Sequence, residues 1–229
     1  MFITSSRRPE IIYPNRGGAY QVFDHTGVIR PMAKYSEAVK SHDRIFEVVR
    51  QAFRKTWQGR PGVVHIDVPE NIMNGKFKFN EAEFLEPKYY RNTTPMEPTD
   101  DAVTKAAQLL INARFPVVHA GSGIIHARAF EELELVANIL QAPVTTSWAA
   151  RGSLCEGNTL SVPLTAIELT NDLRREADLI LCLGSRIGET DWWGKMPNWG
   201  SPYEQKMIQV DLDEEIIGRN KPVTLGVQA

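Results

Sequence analysis

A turn with two glycines is the first candidate for chemistry in this chain. Gly121, Ser122 and Gly123 follow the apolar stretch 116–120, which predicts a strand. Paired glycines let the backbone approach a ligand, and the first turn of a following helix offers free N–H groups to a phosphate. The third glycine of the dinucleotide-binding fingerprint is absent because His126 takes its place. A phosphate site and a tight strand-to-helix turn therefore explain the pair equally well.

Two further turns after predicted strands carry residues suited to a nucleotide. Gly184 and Arg186 follow one hydrophobic strand, and a guanidinium there can meet a phosphate or stack on a ring. Asp211 and Asp213 follow the next strand, where a carboxylate can accept hydrogen bonds from ribose hydroxyls. The structural alternatives are that Arg186 pairs with a neighbouring acid and that Asp213 caps a helix beginning at Glu214. Three such turns in succession favour a nucleotide-type ligand, whose identity stays open.

The elements that must position these turns alternate between strands and helices. Thr99 is suited to cap a helix that runs to about Ile111, with acidic residues in its first turn. Further helices are predicted at about 127–140 and within 164–176, and strands at 116–120, 142–146, 179–183 and 207–210. This alternation predicts an α/β fold with a parallel, Rossmann-like sheet covered on both faces.

The first part of the chain predicts a smaller α/β unit. A strand is expected at 2–4, a loop at 7–18 and an amphipathic helix at 45–57. Positions 63–68 are mostly β-branched, which predicts a parallel strand buried on both faces. From 71 to 100 the chain is polar, contains prolines and shows no sustained period, so we expect a linker that separates two domains.

Composition narrows the function class. Of the residues, 42% are hydrophobic and the formal net charge is −2, which argues against a nucleic-acid binder. No apolar run reaches the length of a membrane span and no signal peptide is evident, so we expect a cytoplasmic protein without a membrane partner. Cys155 and Cys182 have no partner spacing for a disulfide or zinc site, and both are expected to be buried in a reducing compartment. No metal site is predicted.

Several motifs resemble the acetolactate synthase-like superfamily of thiamine diphosphate-dependent enzymes. The sequence GRPG at 59–62, followed by Asp67-Val68-Pro69, resembles the segment that closes the pyrimidine-binding domain. Upstream, Tyr20-Gln21, Arg30-Pro31 and Lys34 match a second stretch of that domain, with tyrosine where phenylalanine is usual. The turns at 121–123, 184–186 and 211–213 resemble the central domain. The resemblance implies the C-terminal half of a pyrimidine-binding domain at 1–72, a linker at 73–98 and a central domain at 99–229.

The resemblance also implies roles for two residues of the first unit. Gln21 would face the reacting carbon of thiamine diphosphate and hydrogen-bond a developing oxyanion, and Lys34 would line the route by which substrate arrives. The alternatives are a surface amide and a solvated lysine. His25 has no evident partner and His65 lies on a buried strand, so both, together with Asp67, are expected to be structural.

Two motifs of the family have no counterpart here. The glutamate that activates the cofactor and the glycine-aspartate…asparagine motif that holds Mg²⁺ and the diphosphate lie, in the family, outside the matching region. The resemblance therefore implies a fragment that is inactive alone and that needs the missing N- and C-terminal parts of the same enzyme. The parent would be a lyase or transferase acting on 2-keto acids or 2-hydroxyacyl-CoA compounds, and a homodimer or homotetramer.

The ligand of the central domain stays open. Gly188 and Thr190 occupy positions where FAD-containing relatives carry an acidic residue and an arginine, which weakens the case for FAD. The stretch 191–200, followed by 206–211, is more similar to the 2-hydroxyacyl-CoA lyase and oxalyl-CoA decarboxylase side of the superfamily, and this resemblance implies that the central domain can hold an ADP moiety. Trp192, Trp193 and Trp199 could stack on an adenine or pack in an interface. The competing hypothesis is a non-catalytic adenine-nucleotide-binding module with the same α/β fold.

Overall fold

The computed structural model describes residues Met1–Ala229, which divide into two compact units, Met1–Thr94 and Pro95–Ala229. The division falls inside the segment 73–98, which the sequence predicts to be a linker. Residues 74–94 form no strand, and their regular structure consists of two short 3₁₀ turns, Glu81–Glu83 and Pro87–Tyr89.

The first unit is built on a small parallel sheet. Its strands are β1 (Phe2–Thr4), β2 (Tyr35–Ala38) and β3 (Val64–Asp67), and its helices are α1 (Pro9–Ile12), α2 (His25–Ile29), α3 (Ile45–Trp57) and α4 (Glu70–Met73). Two further 3₁₀ turns lie at Arg30–Met32 and His42–Arg44. The strand order is β1-β3-β2, and both pairings are parallel. All four residues of β3 are buried, which confirms the prediction of a strand covered on both faces.

The core of the first unit forms between its sheet and helix α3. Ala52 of α3 is fully buried beside Val64 and Ile66 of β3, and Val48 and Val49 pack against the same cluster. The apolar spacing read from the sequence therefore identifies the helix face that meets the sheet. The expected loop at 7–18 contains one exception, the single turn of α1, which starts at Pro9.

The second unit holds a larger parallel sheet. Its strands are β4 (Pro116–Ala120), β5 (Val144–Thr146), β6 (Leu179–Leu183), β7 (Lys206–Asp211) and β8 (Leu225–Gln228), and its helices are α5 (Asp100–Ile111), α6 (Gly123–Ala127), α7 (Phe130–Leu140) and α8 (Ile167–Glu176). Two 3₁₀ segments lie at Trp148–Ala150 and Glu189–Gly194. The strand order is β5-β4-β6-β7-β8, all parallel, with separate apolar clusters packed around the sheet. This confirms the α/β, Rossmann-like class.

One helix boundary differs from the sequence prediction. A single helix was expected at about 127–140, but the structure has α6, then a break, then α7. Arg128 ends α6 with a left-handed backbone, φ 58°, and its N–H closes the turn on Ile124 and Ile125. Because a non-glycine residue in this conformation leaves no strong local sequence signal, the break could not be read from the sequence. Thr99 does cap α5, since its hydroxyl accepts from the N–H of Ala102 at 3.2 Å.

The cysteine prediction is half right. Cys182 is buried in β6, where burial raises the pKa of its thiol, but Cys155 is exposed on a loop. Both are free thiols. None of the helices is both long and apolar enough to cross a membrane.

Candidate functional site

A cavity of about 750 Å³ opens at the carboxyl edge of the first sheet. Its lining is mostly apolar, with a few polar side chains, and consists of Phe2, Ile3, Thr4, Ser5, Gln21, Phe23, His25, Val28, Ile29, Val68 and Met73. In open parallel sheets, ligands bind beyond the carboxyl ends of the strands. The cavity is therefore the candidate functional site of the first unit.

Gln21 is held at the rim of this cavity by an unusual backbone. Its φ is 55°, in the left-handed region, and its carbonyl accepts a hydrogen bond from the N–H of Arg7 at 3.1 Å. The Arg7 side chain also stacks over the Tyr20 ring and donates to the Tyr20 hydroxyl. Arg7 therefore contacts both Gln21 and the residue before it. No hydrogen bond within the chain uses the Gln21 side-chain amide, which leaves its donor and acceptor available to a ligand.

Beneath the cavity, a buried carboxylate collects hydrogen bonds. Asp67 Oδ1 accepts from the Thr4 hydroxyl at 2.7 Å and lies 2.9 Å from His25 Nδ1. Ser6 also hydrogen-bonds the Asp67 side chain. Burial is the largest single influence on the Asp67 carboxyl and raises its pKa, but the hydrogen bonds from Ser6, His25 and Thr4 together bring the pKa below its ordinary value. Asp67 is therefore an ionised carboxylate at neutral pH.

His65 is a satisfied core histidine, as the sequence predicts. Its Nε2 lies 2.8 Å from the Thr4 hydroxyl and its Nδ1 lies 2.8 Å from the Ser36 hydroxyl. Burial, opposed in part by the Asp67 charge, lowers the pKa of His65, so the ring is neutral. Since Thr4 donates to Asp67, its oxygen accepts from His65 Nε2–H. The single proton of the Ser36 hydroxyl is shared between His65 Nδ1 and the Thr26 carbonyl, which lies 3.1 Å from Ser36 Oγ.

The expectation that His25 is a lone structural histidine is wrong about its partner. The ring is 6% exposed, pairs with Asp67 and lines the cavity with Gln21. No local pattern links the two residues, because they are 42 positions apart in the sequence.

Lys34 is not brought to this cavity. It immediately precedes β2, at the amino end of the sheet, and its Nζ donates to the carbonyls of Gln58 and Arg60. The Lys34 side chain also packs where a Cβ on Gly62 would lie. The structure thus separates Gln21 from Lys34, and a role for Lys34 in the substrate route stays a prediction.

In the second unit, the predicted glycine-rich turn interlocks with the turn after β6. A Cβ on Gly121 would lie 2.2 Å from the Gly184 carbonyl oxygen, and one on Gly123 would lie 2.6 Å from the Gly184 Cα. The Gly121 N–H donates to Leu183 and the Gly123 N–H donates to Gly184. Both N–H groups are therefore used inside the protein, and close backbone packing accounts for the glycines. Phosphate binding by Gly121, Ser122 and Gly123 stays a prediction.

The other residues predicted to bind a nucleotide differ in whether they already have partners within the chain. Arg186 is exposed and forms no ion pair, so the alternative that it pairs with a neighbouring acid is wrong. Asp211 Oδ1 accepts from the N–H of Asp213, and Asp213 Oδ1 accepts from the N–H of Glu215. The residues after Asp213 form turns rather than a helix, so Asp213 closes a turn and caps no helix.

A buried ionic cluster in the second unit was missed by the sequence analysis. Arg174 Nη2 lies 3.1 Å from Asp191 Oδ1 and 3.1 Å from His119 Nδ1. Trp199 is fully buried, its ring meets His119 edge-on, and the Arg174 guanidinium lies over it at 4.9 Å. Burial and the Arg174 charge lower the pKa of His119, so it is neutral, and its Nε2–H points towards Asp191 Oδ2 at 3.6 Å. Trp199 therefore packs in the core and does not stack on a ligand.

A buried lysine closes the loop that follows this cluster. Lys221 is 2% exposed, and its Nζ donates to the Gly200 carbonyl at 2.7 Å and lies 3.4 Å from the Gly194 carbonyl. Burial lowers the pKa of Lys221. Ahead of this loop, Trp192 and Trp193 have left-handed backbones, φ 53° and 51°, and half-exposed side chains.

Comparison with known proteins gives the same family from both halves of the chain. Residues 103–229 match the family described as thiamine pyrophosphate enzyme, central domain. The chain is 32% identical over 208 residues to an acetolactate synthase of Mycobacterium bovis, which covers 89% of this chain and 32% of that protein. It is 30% identical to a probable acetolactate synthase large subunit of Methanocaldococcus jannaschii (88% of this chain, 34% of that protein). It is 29% identical to the acetolactate synthase isozyme 1 large subunit of Escherichia coli (92% and 36%).

These matches extend through both units, and the chain spans about a third of the length of the curated relatives it matches. The family match covers more than half of the chain and lies wholly within the second unit, on the parallel sheet described above. The chain belongs to the thiamine pyrophosphate enzyme family, with its central domain in the second unit.

Proposed function

We propose that this chain supplies part of a thiamine diphosphate-dependent enzyme of the acetolactate synthase type, which makes or breaks a carbon–carbon bond next to a carbonyl. The observation that carries the proposal is the position of Gln21. The resemblance assigns this residue to the reacting carbon of the cofactor, and its free amide stands at the rim of the cavity in the first unit. The relatives named acetolactate synthase support the same reaction class.

The cavity fits only one portion of the cofactor. Its apolar walls, formed by side chains such as Phe23 and Val28, suit an aromatic ring. No lysine, arginine or acidic side chain lines it, and nowhere in the chain do three metal-ligating side chains come together. We therefore assign the diphosphate and Mg²⁺ to parts of the enzyme other than these residues. When bound, thiamine diphosphate supplies a carbon centre that stabilises negative charge next to a carbonyl.

Within this reaction, the Gln21 side chain would donate a hydrogen bond from its amide N–H to an oxygen on which negative charge develops. A donor that is held in position before the reaction stabilises the developing charge without having to reorganise. The left-handed backbone of Gln21 and its hydrogen bond to Arg7 would keep the amide at the rim.

The finer assignments are part of the proposal. The substrate class is a 2-keto acid or a 2-hydroxyacyl-CoA compound, and the parent enzyme is a cytoplasmic homodimer or homotetramer that uses Mg²⁺. We propose that the chain alone does not turn over substrate. This is supported by the length of the relatives and by the resemblance, which places the activating glutamate and the Mg²⁺ motif outside the matching region.

The function is tested by a chimera in which this chain replaces the matching segment of the Escherichia coli relative. We expect the chimera to form acetolactate from pyruvate, and Gln21→Ala to lower kcat about 10²-fold, as for other oxyanion donors. The matched control is Gln141→Ala, because Gln141 also has a left-handed backbone, φ 49°, but lies in the second unit. A folded chimera without activity, or equal losses in both variants, contradicts the proposal.

Cofactor binding by the chain alone is a separate test. Calorimetry with thiamine diphosphate and Mg²⁺ is expected to show no saturable binding, because the residues present fit only a ring. Micromolar affinity would show that the diphosphate site lies within the chain after all.

The proposed ligand of the second unit is ADP, with FAD as the weaker alternative. We expect ADP to raise the melting temperature and Arg186→Ala to abolish the increase, because Arg186 is exposed and uncommitted at the carboxyl edge. Arg219→Ala, at an exposed arginine that faces Glu215, is the control. The competing hypothesis of a non-catalytic nucleotide-binding module is weakened by the relatives named acetolactate synthase, which match the chain through both units.

A further inference from the structure

We propose that His25 contacts the substrate oxygen in the cavity beside Gln21 and that Asp67 is its positioning residue. The substrate class is a 2-keto acid or a similar molecule with a carbonyl oxygen at the reacting carbon. The inference rests on the proposed function, because it adds a residue to the same cavity. It does not follow from the resemblance, which implies no role for His25.

The orientation of the ring decides which nitrogen a ligand meets. His25 Nδ1 lies 2.9 Å from Asp67 Oδ1, and the two side chains are 6% and 5% exposed. Because Asp67 is a carboxylate and only accepts, Nδ1 carries a proton and donates it to Oδ1. Nε2 has no hydrogen-bond partner within the chain, so it is the atom available to a ligand in the cavity that the ring lines.

The ring is held in this orientation from several sides. Phe23 meets it edge-on with 4.1 Å between ring centres. The carboxylate below it is fixed by the hydroxyls of Thr4 and Ser6, and Thr4 in turn accepts from His65. A histidine whose second nitrogen is fixed by a buried carboxylate keeps one tautomer and one orientation, as in other Asp–His pairs.

The cavity offers few other polar side chains to an oxygen atom. The Thr4 hydroxyl is committed to Asp67, and most of the remaining walls are apolar. Gln21 and His25 are four positions apart, and both line the cavity with side-chain nitrogens that no internal bond uses. An apolar pocket with a few convergent polar groups is the usual form of a small-molecule site.

The ring can also move a proton when both of its nitrogens carry one. Transfer of the Nε2 proton to a negatively charged oxygen gives a hydroxyl group and a neutral ring. Nδ1 keeps its proton and its hydrogen bond to Asp67, which remains a carboxylate, and Nε2 regains a proton from solvent in the open cavity.

The first experiment measures histidine acylation by diethyl pyrocarbonate in the full chain, read by peptide mass spectrometry with and without pyruvate. We expect His25 to react through Nε2, the exposed His126 to react, and His65 to resist because both its nitrogens are bonded. Pyruvate should slow acylation several-fold at His25 and leave His126 unchanged. An unreactive His25, or a rate that pyruvate does not change, overturns the proposal.

The second experiment separates substrate contact from a structural role. In His25→Asn, the amide can still donate to Asp67, as Nδ1 does, but the atom corresponding to Nε2 is gone. In His25→Gln, an amide nitrogen can occupy the place of Nε2. We expect Asn to weaken pyruvate binding about fivefold to tenfold, the value of one hydrogen bond, and Gln to restore much of it, by ligand-observed NMR on the full chain.

The opposite order, with Asn equal to wild type and Gln impaired, assigns His25 a structural role and overturns the proposal. His126→Gln is the matched control and should bind as wild type does. If pyruvate binds as expected but the chimera is inactive, the proposed function fails and this site stands. If the chimera is active and His25→Asn leaves its kcat/KM unchanged, the inference fails and the function stands.

Discussion

The carboxyl edges of the two parallel sheets are built in opposite ways. In the second unit, the turns after β4 and β6 interlock through glycine backbones, and a nearby ionic cluster is sealed from water. In the first unit, the edge holds a cavity of about 750 Å³, and an Asp–His pair turns one nitrogen towards it. Both units combine a buried aspartate with at least one buried histidine. The difference shows that access of solvent and ligands to the side chains, rather than residue type, separates a candidate site from a structural cluster.

The sealed cluster is expected to show the largest effect on stability. Arg174→Met should destabilise the second unit by about 3–5 kcal/mol, because it leaves the Asp191 carboxylate buried and unpaired. Arg175→Met, at the adjacent and exposed arginine that pairs with Asp172, should cost about 0–1 kcal/mol. Urea denaturation followed by tryptophan fluorescence measures both. Equal losses would show that the cluster is not sealed as described.

A side chain added at the glycine turns is expected to have the next largest effect on stability. Gly121→Ala should destabilise the second unit by about 1–3 kcal/mol, because the added Cβ overpacks against the Gly184 carbonyl. Gly157→Ala is the control, since its Cβ would meet only Cys155 Sγ at 3.7 Å. A change there within about 0.5 kcal/mol is expected. If Gly121→Ala were equally harmless, the edge would have room for a ligand, and the contrast with the first unit would disappear.

The smallest expected effect is a loss of stability in acid, which distinguishes two of the buried histidines, His65 and His119. The pKa values of His65 and His119 lie below the ordinary 6.5, so the unfolded chain binds protons first as pH falls. Stability is therefore complete above about pH 6.5 and declines below it. Hydrogen exchange at pH 7.5 and 5.5, resolved by peptide, should show this in both units. His65→Gln should flatten the response of the first unit only, and a flattened response in both units would contradict the assignment.

Local patterns were sufficient to predict much of the fold. The β-branched run around Val64 predicted a buried parallel strand, and Thr99 with its acidic neighbours predicted the start of α5. Residues of this kind act through backbone preference and nearby contacts, which short stretches of sequence encode. The break at Arg128 was not predicted, because a left-handed arginine depends on its packing rather than on its type.

The site was less predictable because its contacts are distant in sequence. The cavity residue Gln21 was found through a family motif. The Asp67–His25 pair joins two elements 42 positions apart, and the Arg174–Asp191 pair joins a helix to a turn. For the glycine turn, a phosphate site and a tight turn stayed equally good explanations, because no local feature reveals that Gly184 fills the space beside Gly121.

Lys221 has a consequence for the order in which the second unit can assemble. The loop between Gly194 and Gly200 is closed by an ammonium group that lies 21 residues beyond the end of that loop. During synthesis from the N-terminus, Trp199 emerges before the residue that fastens its loop. Trp199 is therefore outside the ribosome for a time before Lys221 can hydrogen-bond to the Gly200 carbonyl of the same loop. Final closure belongs to the last steps of folding, together with the pairing of β8.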